Sequence, residues 1–226
     1  MFSSDAAAPP TKSERTRAHL REIALRSFRE RGYDGTTIRL IAQEAGVSVG
    51  TTNYHFASKN HLVQELYLDV QEAHRDAARP LLETTDDLVD RLGIVYRTGL
   101  DQLTPYHPHA PEFLSAAVSP RSPINPLSEE SAAALAIVDG LFRDAVAGSS
   151  DKLPADFREA LPSVFVLGHL LLALFWVYDR SPGQKRTRAL LDQGLKLLRL
   201  ALPLTRVPVL RAPLRQLLVL VGEVRA

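Results

Sequence analysis

Residues 164–178, VFVLGHLLLALFWVY, are apolar on every helical face. A run of that kind has two fates: it crosses a membrane, or it lies at the centre of a bundle with neighbours on all sides. A crossing needs about 20 such residues. This run is bounded by Pro162 and Asp179 and carries His169 inside it, so the expectation is a central helix and no membrane partner. The rest of the chain agrees. Beyond Leu66 no stretch alternates apolar and polar residues as a half-buried strand does, and long helical segments are separated by proline-bearing stretches such as TPYHPHAPE and SPRSPINPLSEES. The spacing predicts helices at about 86–104, 110–118, 128–147, 155–179, 184–202 and 209–224, and the fold class is expected to be all-α.

The first third of the chain has a different texture. Residues 1–12, rich in Ser, Ala and Pro, read as a flexible arm. Ser13 is a plausible cap for a helix that carries Leu20, Ile23, Ala24 and Phe28 inward and stops near Gly32. Thr36 or Thr37 caps a second helix bearing Ile38, Ile41 and Ala42, and it ends at Gly46. Ser48 caps a short third helix through His55, and Ser58 a fourth that runs towards Pro80. Two helices joined by a short turn containing Gly, the second of them polar on its outer side, form a helix-turn-helix, whose second helix fits the major groove of DNA. In GVSVGTTNYHF, residues 46–56, Val47 and Phe56 are expected to pack inward. Val49, Thr51, Thr52, Asn53, Tyr54 and His55 are spread around the helix, and Gly50 allows close approach. Nine basic against five acidic side chains within residues 11–61 leave an excess of +4 on a chain whose net charge is +1, which favours a polyanion partner for this end.

Three ordered marks carry a resemblance: F-x-x-x-G-Y-x-G-T-T from Phe28 to Thr37, I-A-x-x-A-G-V-S from Ile41 to Ser48, and Y-H-F-x-S-K from Tyr54 to Lys59. Residues 16–67 resemble the TetR family of transcriptional regulators. The resemblance implies a helix-turn-helix head over residues 13–66 and an effector-binding and dimerisation domain over 67–226. It implies phosphate contacts from Thr37 and Lys59, a backbone or thymine-methyl contact from Tyr54, and groove-facing positions at Val49, Thr51 and Asn53. Ser48, Gly50 and His55 complete the expected DNA-binding set. Where relatives read something like GTLYYHF, this chain reads GTTNYHF. Asn53 can pair bidentately with adenine, which Tyr cannot, so an operator sequence does not transfer from relatives.

The second half is similar to the regulatory region of the same family, and its DRSPG and PVLRAPLRQ segments resemble a subgroup of it. That likeness implies a homodimer through helices at about 155–179 and 184–202. It also implies a small hydrophobic or aromatic effector, with Tyr96, Phe113, Phe142, Phe165, His169, Trp176 and Tyr178 as the bulky or hydrogen-bonding candidates; core packing is the alternative reading for each. His107, His109 and Glu112 are the one stretch with metal-like spacing, but they sit in a proline-stiffened loop, and no metal is expected. No H-E-x-x-H, G-x-S-x-G, P-loop or dinucleotide fingerprint occurs, so neither an enzyme nor a cofactor is expected. The absence of cysteine excludes disulfides and thiolate chemistry. With no signal-peptide pattern at the start, the cytoplasm is the expected location. The chain is thus expected to be a homodimeric repressor released from a pseudo-palindromic operator by its effector. The alternative is a helical ligand-binding or protein-interaction module that uses the helix-turn-helix as a docking surface.

Overall fold

The computed structural model describes residues 11–206, with Pro213 and Gln216 beyond them. The helix expected at 209–224, with the PVLRAPLRQ segment, falls almost wholly outside the described residues. So does the arm expected over residues 1–12, except that Thr11 and Lys12 already belong to the first helix. That helix, α1 (Lys12–Gly35), is capped by Thr11 and not by Ser13. The Thr11 hydroxyl accepts from the Glu14 N–H at 3.2 Å, and the Glu14 carboxylate accepts from the Thr11 N–H at 2.7 Å. This reciprocal pair satisfies two helix-end donors at once, and Ser13, inside the first turn, has no such partner to offer. Gly32 interrupts α1 with φ 71°, a conformation that only glycine enters without strain. The buried Thr36 hydroxyl closes the break by donating to the Gly32 carbonyl at 2.7 Å.

Three short-range caps then set α2 (Ile38–Glu44), α3 (Val49–His55) and α4 (Lys59–Leu82): the hydroxyls of Thr37, Ser48 and Ser58 accept from the N–H groups of Leu40, Thr51 and His61. Each such cap contributes about 1 kcal/mol. At the turn between α2 and α3, Gly46 takes φ 66°, its N–H bonds the Gln43 carbonyl at 3.2 Å, and the Val47 N–H returns to the Ala42 carbonyl at 3.0 Å. That paired closure is the Schellman ending of a helix, and it fixes the angle at which α3 leaves α2.

The body comprises α5 (Leu88–Leu103), a 3-10 segment (Thr104–His109), α6 (Ala110–Ala117), α7 (Ala132–Ala147), α8 (Ala155–Tyr178) and α9 (Lys185–Ala201). No strand occurs among the described residues. α4 packs on α5 and α7, α7 on α8, and α5 on α7 and α9. α8 is long and apolar enough to cross a membrane by length and composition alone. Here it turns Phe157, Leu161, Phe165, Val166, Leu172 and Trp176 into the body core. Its junction with α9 is tied by Asp179, whose carboxylate accepts from the backbone and hydroxyl of both Ser181 and Thr187. Those four bonds hold the Asp179 carboxyl well below the ordinary carboxylate range.

The two cores meet on α4, whose Leu62, Val63, Leu66 and Val70 belong to the head cluster while Ala78 and Leu82 belong to the body cluster. Body elements also close the head core. Tyr106, Ala117 and Ile124 are buried in it, beside Leu20, Phe28, Ile41 and Phe56. Glu112 accepts from the Asp34 N–H at 3.2 Å, and His109 donates to the Glu30 carbonyl at 3.2 Å. These bonds seat α6 on the broken end of α1. A Cβ at Gly32 would come 2.2 Å from the Glu112 carboxylate, so that seat depends on the glycine.

Candidate nucleic-acid interface

α3 is held from one side only. Thr52, fully buried, and Phe56, 2% exposed, anchor it to the head, and the half-buried Val47 packs against the same core. The opposite side stands clear: Ser48, Val49, Gly50, Asn53 and Tyr54 are exposed, with Tyr54 81% and Val49 42% accessible. Thr51 and His55 are half-buried at the flanks, and the His55 ring meets Tyr54 edge-on with centroids 5.1 Å apart. Within the set named from the sequence, therefore, α3 gathers Val49, Asn53 and Tyr54 on one open face. Ser48 is partly spent as the cap, its oxygen 3.0 Å from the Thr51 N–H and 2.9 Å from the Thr51 hydroxyl.

The phosphate candidates differ from each other. Thr37 is exposed; its oxygen accepts from Leu40 N–H at 3.1 Å, which leaves its O–H free to donate outward. Lys59 is engaged inside the protein: its ammonium donates to the Tyr33 carbonyl at 2.9 Å and lies 3.7 Å from the centroid of the Tyr33 ring. Partial burial lowers its pKa, against the pull of Asp34 and Glu112. Arg39, exposed on α2, was not singled out by the sequence reading, although its place two residues after the Thr37 cap marks it as facing outward.

Two of the four excess charges are balanced within the fold by acids outside residues 11–61. Arg17 and Arg21 pair with Glu65, and Arg21 also with Asp69, across the α1–α4 contact; Arg26 and Arg31 pair with Glu44. Among the described residues no ion pair engages Lys12, Arg15, Arg29 or Arg39. The positive field open to a polyanion is thus smaller than the sequence count implied.

The body candidates separate into three places. Tyr96, Phe142, Phe165 and His169 lie together: the Tyr96 hydroxyl donates to the Phe165 carbonyl at 2.9 Å, and the Tyr96 and Phe142 rings are 5.0 Å apart. Burial pushes the Tyr96 phenol far above its ordinary value. Trp176 sits further along α8, against His107, which donates to the Trp176 carbonyl at 3.0 Å. Phe113 lies apart from both, edge-on to Phe28 and Tyr33 at the head–body joint, and Tyr178 is exposed. His74 on α4 joins the first group and was missed; it occupies the inward stripe Leu66, Val70, His74, Ala78, whose four-residue spacing was the available signal. His107 and His109 turn to different partners, and no cluster of three metal-ligating side chains occurs among the described residues. A cleft of about 370 Å³ lies elsewhere, lined by Arg79, Leu82, Glu83, Arg91 and Asp144. Its Arg91 guanidinium is spent on the carbonyls of Leu82, Thr85, Asp144 and Ala145, which makes it a clasp for helix ends.

Residues 20–66 match the family described as "Bacterial regulatory proteins, tetR family". Residues 91–219, more than half of the chain, match "Tetracyclin repressor-like, C-terminal domain". The chain is 40% identical over 82 residues to the HTH-type transcriptional regulator TtgR of Pseudomonas putida, which spans 36% of this chain and 38% of that protein. It is 32% identical over 91 residues to the HTH-type transcriptional repressor KstR2 of Mycobacterium tuberculosis, 40% of this chain and 46% of that one. The matches thus span less than half the length of these curated relatives. In fold it is similar to a tetR-family regulator from Streptomyces coelicolor, with a TM-score of 0.61 and 20% identity over 91% of this chain and 89% of that one. It is similar too to the fatty acid degradation regulator FadR of Bacillus halodurans, with a TM-score of 0.57 and 19% identity over 84% of this chain and 96% of that one. With one match on the head and a second across the body, the chain belongs to the tetR family of bacterial regulatory proteins.

Proposed function

We propose that the protein is a homodimeric, sequence-specific repressor of the cytoplasm, in which residues 13–66 bind DNA and residues 67–226 bind an effector and the second copy. The observation that carries this reading is the open face of α3: Val49, Asn53 and Tyr54 stand out from a helix anchored on its other side by Thr52 and Phe56. Polar and small apolar side chains on such a face match base edges and thymine methyls in the major groove. Thr37 and Arg39 on α2 are placed to meet phosphates, which position the head without reading sequence.

The dimer reading is supported by α8 and α9. Leu171, Leu174, Phe175 and Tyr178 recur at helical spacing on the side of α8 turned from its own core, and Leu190, Leu197 and Leu200 are exposed on α9. Side chains of this size in water are a cost that a second copy of the same face removes. α9 is meanwhile secured to α5 by Arg97–Asp192, Arg188–Asp101 and Arg199 with Asp87 and Asp90, while its Leu190, Leu197 and Leu200 stay exposed. A dimer of this kind needs half-sites about 34–36 Å apart on a pseudo-palindromic operator.

Release follows from α4, which belongs to both cores and is unbroken from Lys59 to its last turn, where Pro80 falls. A small hydrophobic effector that prefers a body arrangement with the heads at the wrong separation lowers operator affinity by that preference and no more. The test is selection of genomic fragments by the purified protein at near-physiological salt, followed by sequencing. A recovered palindrome near a divergently transcribed neighbour supports the reading, and fragments indistinguishable from background overturn it.

A further inference from the structure

Two imidazole rings lie nearly parallel in the buried interior of the body, where α4, α5, α7 and α8 converge. His74 is fully buried and His169 is 6% exposed; their ring centroids are 5.8 Å apart with an interplanar angle of 14°. Their polar atoms are treated unequally. His74 donates Nε2–H to the Val95 carbonyl at 2.8 Å, and its Nδ1 lies 3.1 Å from the Gln71 side-chain oxygen. His169 makes no hydrogen bond to any described residue. Its neighbours are the His74, Tyr96 and Phe142 rings, and the Tyr96 hydroxyl is already given to the Phe165 carbonyl. Buried polar groups are nearly always matched, and one that is not asks for a reason.

The packing around the pair is arranged to admit it. A Cβ on Gly99 of α5 would lie 2.8 Å from His169 Cε1 and 3.0 Å from His74 Cε1, so the edges of both rings point at a residue without a side chain. Glycine inside a helix destabilises it relative to alanine, and here its position is what makes room for the rings. Gln71 from α4, the Val95 carbonyl and Tyr96 from α5, and Phe142 from α7 meet the pair, none of them charged.

We propose that His169 is the polar anchor of the effector site and that the effector presents to it an uncharged hydroxyl on an apolar body, as in a phenol or hydrophobic alcohol. This rests on the effector reading above and adds the chemistry of its one polar contact. A neutral imidazole offers one donor and one acceptor, and a hydroxyl is the smallest group that answers both. A carboxylate would need a counter-charge that the surrounding residues do not supply, and burying it unpaired is prohibitive. Burial, with His74 alongside, pushes the His169 pKa down to about 3, so the ring is neutral when such a ligand meets it. The stack then transmits the contact: His169 belongs to α8, on which the dimer reading depends, and His74 to α4, which enters the head.

Trp176, the single tryptophan of the chain, lies on α8 two helical turns beyond His169 and reports binding by its emission. The full-length protein is titrated with 4-phenylphenol, biphenyl and biphenyl-4-carboxylate, with the imidazole nitrogens of His169 followed by NMR. The expected result is binding of the phenol roughly tenfold or more tighter than biphenyl, with His169 nitrogen shifts on phenol alone. His169→Phe is expected to keep biphenyl and lose the preference. Equal affinity for phenol and biphenyl, preference for the carboxylate, a preference that survives in His169→Phe, or no response to any of the three overturns the proposal. The wild-type comparison stands even if the variant fails to fold. Biphenyl bound without a phenol preference removes the anchor and leaves a hydrophobic effector site, and the DNA selection decides the regulator reading separately.

Discussion

α3 and α8 put their chemistry in opposite places. α3 is short, buries Thr52 to hold itself, and leaves Asn53 and Tyr54 in solvent. α8 is long, carries its one imidazole inside, and leaves Leu171, Phe175 and Tyr178 in solvent. On α3 the anchors are few and the outward residues are free to vary without touching the fold. On α8 the outward residues await a second surface, and the inward polar group is coupled to everything packed on it. A substitution on α3 should therefore separate function from stability, whereas one on α8 should move both.

The largest effect is expected where α3 meets its support. Phe56 caps α3, is nearly fully buried in the head core and lies under the Arg17 guanidinium at 4.9 Å. Phe56→Ala is expected to cost about 3–5 kcal/mol of stability, measurable by chemical denaturation, with operator binding lost as a consequence. Three residues earlier on the open face, Asn53→Ala is expected to leave the melting temperature unchanged and to weaken binding to the recovered operator by about 1–3 kcal/mol at fixed salt. If Thr51→Ala and Asn53→Ala both left operator affinity untouched, the groove-facing assignment of α3 would be wrong.

For α8 the corresponding probe is pH. The His169 pKa is held near 3 by burial against an ordinary value of 6.5, and that of His74 is also lowered by burial. The unfolded chain takes up these protons below pH 6.5 while the folded one does not, so the stability they contribute is complete above that pH and is lost as pH falls towards 3. From His169 alone, moving from pH 7 to pH 5 is expected to cost about 2 kcal/mol. His169→Phe should remove that share of the pH dependence while His74 keeps its own. A denaturation midpoint equally pH-sensitive in both proteins would mean that His169 is protonated without opening the fold.

The same contrast accounts for what could be read from the sequence. α3 was legible because its determinants are local: Ser48 caps it, Gly46 ends the helix before it, and Phe56 follows it within one turn. Helix positions in the body were legible as well; the expected 86–104 and 155–179 emerge as Leu88–Leu103 and Ala155–Tyr178. Partnerships were not. Phe113, grouped in the sequence reading with the effector candidates, lies against Phe28 and Tyr33, because which helix face meets the head is decided by the 3-10 segment before α6. His74 was passed over, since a polar residue on an inward stripe declares itself only when the helix opposite brings His169 to it. The Arg17 and Arg21 charges that enter the basic excess of residues 11–61 are balanced by Glu65 and Asp69 across a contact some 44–48 residues away in sequence.

Lys59 gives the smallest effect and sharpens the comparison, because it belongs to neither extreme. It starts α4 beside the open face, yet its ammonium is tied to the Tyr33 carbonyl and ring, and Tyr33 leans on Phe113 of the body. If Lys59 also reaches a phosphate, Lys59→Ala is expected to weaken every DNA sequence by the same few-fold factor and to reduce the slope of log affinity against log salt by about 1. A salt slope left unchanged together with a lowered melting temperature would assign Lys59 to the head–body joint, with the phosphate contact passing to Thr37 and Arg39. Lys59→Arg distinguishes the two mechanisms further. Arginine keeps the charge a phosphate needs but replaces the compact ammonium above the Tyr33 ring with a planar fork, so it should restore the salt slope in the first case and fail to restore the melting temperature in the second.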